Sequence, residues 1–92
     1  MTDEDAKKLL ELLKVDLRIL SGVYDERLLM LLKSADAGIR REGATPDYTS
    51  PEDMQLAVMY AAWLWNRRDT GDGMPRMLRW ALNNRVFSEK MR

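Results

Sequence analysis

The sequence predicts an all-α single small domain of about four helices, with a central third helix that is apolar on every side. Three observations carry that prediction. Apolar residues recur at offsets of 3, 4 and 7 through most of the chain. Helix start and stop signals punctuate it from end to end. A length of 92 residues, 46% hydrophobic and 33% charged, suits one globular domain rather than a disordered chain.

Taken in order, Thr2 is placed to cap a first helix, about residues 3–14, with Ala6, Leu9, Leu10 and Leu13 on one face. The alternation of Val15, Leu17 and Ile19 in "VDLRILSGV" then predicts an extended connector, and Ser21-Gly22 a turn. Asp25 is expected to cap a second helix reaching about residue 42, with Leu28, Leu31, Leu32, Ala35 and Ile39 as its stripe and Gly43 as its stop. Asp36 and Arg40 stand four apart in the favourable order for an ion pair. The loop "GATPDYTSP" cannot be helical, because Pro46 and its polar neighbours interrupt the pattern. Ser50 is placed to cap the third helix, about residues 51–68, with Pro51 at its first position and Asp53 three residues after the cap. "DTGDG" breaks that helix, and Pro75 opens a fourth over about residues 75–84, expected to carry Met77, Leu78, Ala81 and Leu82 inward. Residues 1–84 thus form the helical domain, and 85–92 a polar C-terminal tail expected to be flexible when the subunit is unassembled.

In the third helix, every residue from Leu56 to Trp65 is apolar or aromatic. A helix apolar all round must be buried all round. A membrane is excluded by length, since ten residues rise about 15 Å against a hydrocarbon core of roughly 30 Å, and charged residues close both ends of the run. The start "MTDEDAKK" lacks the basic and apolar character of a secretion signal, so the expectation is a chain that is not secreted. The third helix should therefore be the most buried, and the core should include Leu28, Leu32, Ala35, Ile39, Ala57, Ala61, Leu64, Leu78 and Leu82. Ala57, Ala61 and Ala62 read as small residues that let helices approach within one chain. For Trp63, Trp65 and Trp80, burial in the same chain and burial against a neighbour are both open.

Composition narrows the chemistry. Without Cys there are no disulfides or thiolate metal sites, and without His the commonest general base and metal ligand is missing. Only carboxylate chemistry is left. The pairs Asp3-Glu4, Asp25-Glu26 and Glu52-Asp53 all fall at expected helix starts, where negative charge meets the helix dipole. Catalytic, metal and cofactor-binding residues are accordingly expected to be absent. "DTGDG" has neither the carboxylate spacing nor the bidentate Glu of a calcium loop and reads as a turn between helices.

The net charge is zero but unevenly spread: residues 1–65 carry 8 basic and 12 acidic side chains, and residues 66–92 carry 7 basic and 3 acidic. The basic end could meet phosphate, or the subunit could be polarised so that its ends attract neighbouring copies. Arg76, Arg79, Trp80 and Asn83 share one face of the fourth helix, which reads either as a solvated face or as one lying on a nucleic-acid backbone.

A longer order of features now stands out. "VDLRIL" precedes an acidic helix start; the second helix has the form D-x-x-L-x-x-L-L-x-x-A-x-x-x-I and ends at Gly; its loop closes at Pro51. An Ala- and aromatic-rich helix then ends in "WNRR", followed by a loop, Pro75, "LRWAL" and Arg85. This series resembles the small head–tail connector proteins of tailed bacteriophages and prophages, over about residues 9–85. The matching positions are Leu17, Arg18, Asp25, Leu28, Leu32, Ala35, Ile39, Pro51, Ala57, Asn66, Arg67, Pro75, Leu78, Leu82 and Arg85. Trp65 departs from the family, which more often has tyrosine there.

The resemblance implies a structural virion protein, a subunit of a homo-oligomeric ring below the portal of a filled head. Such a ring extends the DNA channel without sequence-specific binding and docks the next connector or the tail. Its implied partners are further copies of the chain, the portal protein and a downstream connector or tail protein, with no cofactor and no membrane. Its implied location is the head–tail junction, and the host cytoplasm during assembly. The residues expected to meet a neighbour or partner are Arg67, Arg68, Arg76, Arg79, Trp80 and Arg85. The rival reading is a small helical DNA-binding module of a packaging or regulatory protein, using the basic C-terminal portion. The one candidate recognition helix, residues 75–84, speaks against it, with two arginines and a Trp but no lysine in a chain of zero net charge.

Overall fold

The computed structural model describes residues 1–70 and 73–91, with the side chains of 68–70 excluded. The protein is all-α, with four helices: α1 (Asp3–Leu17), α2 (Asp25–Arg41), α3 (Pro51–Thr70) and α4 (Arg76–Lys90). All three acidic pairs lie in or at the first turn of a helix, where they complement its dipole. The turn expected at "DTGDG" falls largely outside the described residues.

Local signals explain most boundaries. At α1, Thr2 and Asp5 form a reciprocal capping box: the Asp5 N–H donates to Thr2 Oγ1 at 3.1 Å, and the Thr2 N–H donates to Asp5 Oδ2 at 3.3 Å. At the end of α2, Gly43 takes φ +111°, and the N–H groups of Gly43 and Ala44 donate back to the carbonyls of Arg40 and Ile39. A side chain there would be strained, which is why glycine stops this helix.

Three local expectations are corrected. Residues 15–17 are not an extended connector but the last turn of α1, because Leu17 follows Leu10 and Leu13 onto the buried face. That helix ends where Arg18 adopts the left-handed conformation, φ 59°. Asp25 does not cap α2: Tyr24 holds the cap position without a side-chain bond, and Asp25 instead pairs with Lys14 at 2.9 Å, tying α2 to α1. Finally, α4 runs to Lys90 rather than stopping near Asn84. Its inward face continues through Arg85, Val86 and Glu89, positions that a search for apolar periodicity does not read as a stripe.

The core is shared by all four helices. Leu9 and Leu13 of α1, Leu28, Leu32 and Ile39 of α2, Ala57 and Ala61 of α3, and Leu78 and Leu82 of α4 are fully or almost fully buried. Helix α2 packs on both α1 and α3, and α4 rests on α3. Among the described residues, α2 rather than α3 supplies the most buried positions. The body measures 41 × 30 × 18 Å, so its thin dimension is less than two helix diameters of about 10–12 Å each. A helix in so thin a body keeps part of its circumference near the surface. Hence α3 is sealed along Leu56, Ala57, Val58 and Ala61, while Ala62, Trp63, Leu64 and Trp65 are only half-buried. Leu64, expected in the sealed core, lies at its margin.

One close approach has a measurable consequence. Gly38 of α2 lies under the ring of Tyr60 on α3, and a Cβ built there would overlap the Tyr60 hydroxyl and lie 2.7 Å from Cζ. In a solvent-facing helix, Gly→Ala stabilises by about 1 kcal/mol. Here overpacking reverses the sign, and Gly38→Ala is expected to lower stability by about 1–2 kcal/mol. In a Tyr60→Ala background the same change should become neutral or stabilising. Chemical denaturation of the four proteins in a double-mutant cycle reads this directly, and strictly additive effects would refute the contact.

Candidate assembly surface

The loop between α2 and α3 is pinned from two sides, and that pinning places α4. On one side the Tyr48 hydroxyl enters the body and donates to Asp36 Oδ1 at 2.6 Å, while Arg40 Nε donates to Asp36 Oδ2 at 3.1 Å, making the expected pair of Asp36 and Arg40. Burial works against the Asp36 carboxylate, but the hydrogen bonds from Tyr48, Arg40 and the Met1 amino group outweigh it and hold its pKa below the ordinary value. Burial, together with the bond to Asp36, pushes the Tyr48 phenol far above its usual range, so it stays a donor.

On the other side stands Arg85. Its Nε donates to Asp53 Oδ1 at 2.7 Å and its Nη2 donates to the Thr45 carbonyl at 2.8 Å. Asp53 also accepts the Asp47 N–H at 2.8 Å, and Glu89 accepts the Thr45 N–H at 2.6 Å. The hydrogen bond to Asp53 raises the Arg85 pKa against the opposing effect of burial. Asp53 is therefore more than a first-turn residue of its own helix: it joins α3, the loop and α4. These bonds fix the inner face of α4 and so determine which face looks outward.

The outward face is apolar. Met77, Trp80, Phe87 and Met91 are 63 to 72% exposed. Together with exposed Asn84 they recur at steps of 3 and 4, the spacing of a helix-pairing stripe. Met77, expected inward, lies on this stripe, one helical step from buried Leu78. Along one side of the stripe runs a polar edge of Arg76, Arg79, Asn83 and Lys90, all exposed. Along the other lies a groove of about 650 Å³ against the first turns of α3, lined by Leu56, Met59, Trp80, Ala81, Asn84 and Ser88 among others.

The six expected contact residues separate into distinct environments. Arg76 and Trp80 are exposed at the stripe. Arg79, at its edge, is half-exposed and paired with Glu42 across the end of α2. Arg67 lies apart on α3, with its guanidinium 5.2 Å from the ring centroid of Trp63. The side chain of Arg68 is outside the described residues. Arg85 faces inward, in the pair with Asp53. Trp63 and Trp65 are engaged within the chain, edge-on to Tyr60 and Tyr24 at centroid distances of 5.5 and 5.3 Å. Trp80 is the exposed tryptophan. Reading by single residues missed Met77, Phe87 and Met91 as surface, although their spacing with Trp80 and Asn84 was present in the sequence.

No group of three acidic, His or Cys side chains among the described residues could hold a metal ion. No described helix is long and apolar enough to cross a membrane. Comparison with protein-family models, curated proteins and solved structures gives no match for this chain.

Proposed function

We propose that this chain is a non-catalytic structural subunit of a head–tail connector in a tailed phage or prophage. In this reading it self-associates into a ring beneath the portal, extends the DNA channel and docks the next connector or tail protein. It would assemble in the host cytoplasm and end at the head–tail junction of the virion. The observation that carries the reading is the face of α4, an apolar stripe with a cationic edge, held outward by a buried network. A large exposed apolar patch on a small helical protein marks an interaction surface. The order of sequence features shared with the connector family supplies the class of assembly.

Size-exclusion chromatography with light scattering over a concentration and salt series tests the proposal, alongside DNA binding. The expected result is a species heavier than the 10.7 kDa chain that grows with concentration, or with a portal protein present. Exposed ion pairs screen readily, so the charged part of the association should weaken as salt rises. A monomer at every concentration, with and without a portal, would overturn the ring. Tight, steeply salt-dependent DNA binding by that monomer would favour the DNA-binding module instead.

A further inference from the structure

Resting on the assembly reading above, we infer that the stripe on α4 of one copy seats on the outer face of α1 of a second copy, head to tail. Two unlike apolar patches with opposite flanking charge occur on this one chain. The first is the α4 stripe with Arg76 and Lys90 at its edge. The second lies on α1, where Leu12 and Val15 face outward, Val15 at 76% exposure. It continues beyond the helix into fully exposed Leu20, and a shallow groove is lined there by Val15, Ile19 and Leu20.

The charge around this second patch is set by which side chains are already engaged. Lys8 turns to the Tyr48 carbonyl at 3.3 Å, and Lys14 to Asp25 at 2.9 Å. Glu4, Glu11 and Asp16 flank the patch, and no ion pair among the described residues engages them. The α1 face thus presents apolar side chains between carboxylates, and the α4 face presents them beside cations. Pairing two α4 stripes with each other would bring like cationic edges together, which disfavours the symmetric alternative. Contacts between two different faces of one chain are heterologous, and these are the contacts that close into rings.

The test uses one blocked face at a time. Val15→Glu disables the α1 face and Phe87→Glu the α4 face; both positions are exposed and Glu suits a helix, so circular dichroism should show unchanged helicity. Each variant alone should lose assembly at concentrations where the parent associates. An equimolar mixture should form a dimer and stop there, because the intact α4 face of one variant meets the intact α1 face of the other. Light scattering reads both outcomes. If the mixture stays monomeric, or either variant alone assembles like the parent, the pairing of these faces is wrong while the parent's ring stands. If the parent never associates, the ring and this pairing fall together.

Discussion

Arg85→Met is expected to cost about 3–5 kcal/mol of folding stability, the scale for removing one partner of a buried ion pair. Arg85 and Asp53 keep only 9 and 5% of their side-chain surface exposed. Methionine fills much of the volume but leaves the Asp53 carboxylate buried without its cation, and the Thr45 carbonyl without the Nη2 donor. A second change, Asp53→Asn in the Arg85→Met background, removes the stranded charge and should restore part of the loss. Urea denaturation with an unchanged m value measures both. Amide exchange should rise along α4 in the single variant, since this pair joins that helix to α3. A single variant within about 0.5 kcal/mol of the parent would show that the pair is incidental, because surface changes typically fall in that range.

Leu32→Ala is expected to destabilise by about 2–5 kcal/mol, because Leu32 is fully buried among α1, α2 and α3 and its removal leaves a cavity. Leu64→Ala should cost less, about 1–2 kcal/mol, since the half-buried side chain at the core margin loses less apolar contact with the body. Sequence periodicity ranks the two equally; burial separates them. Equal losses in parallel denaturation experiments would mean that the outer side of α3 is sealed in solution, for example by a neighbouring copy. Dilution would then shrink the cost at Leu64 and leave that at Leu32 unchanged.

The helices were legible because each is announced within a few residues. Thr2 with Asp5, Gly43 with its two return hydrogen bonds, and the acidic first turns all act through groups one helical turn apart. The buried stripe of α2 was equally plain, since Leu28, Leu32, Ala35 and Ile39 sit at helical spacing and all four are sealed. Where two local patterns coincided, the sequence misled: Val15, Leu17 and Ile19 alternate like a strand, but Leu17 also completes the helical stripe of α1. Burial of that stripe against the other helices decided the conformation. The candidate surface was half legible. Trp80 and Arg76 stood out by type, whereas Met77 and Phe87 were hidden because an apolar residue is ordinarily assigned to the core.

From the sequence alone, then, came an all-α chain, the number and order of its helices, the stop at Gly43 and the absence of His and Cys chemistry. Each of these depends on residue identity or on neighbours three or four positions away. The tertiary structure alone decided that Arg85 is a buried strut, that α4 continues to Lys90, that Asp25 answers to Lys14, and that Met77 faces out while Leu78 faces in. The partners that settle these points are distant in the chain: Asp53 and Arg85 are 32 residues apart, and Thr45 and Glu89 are 44 apart. A helix with apolar residues on more than one face can bury only the face that its neighbours reach. Which face that is follows from the packing of the other helices, and the face left over is where a partner can bind.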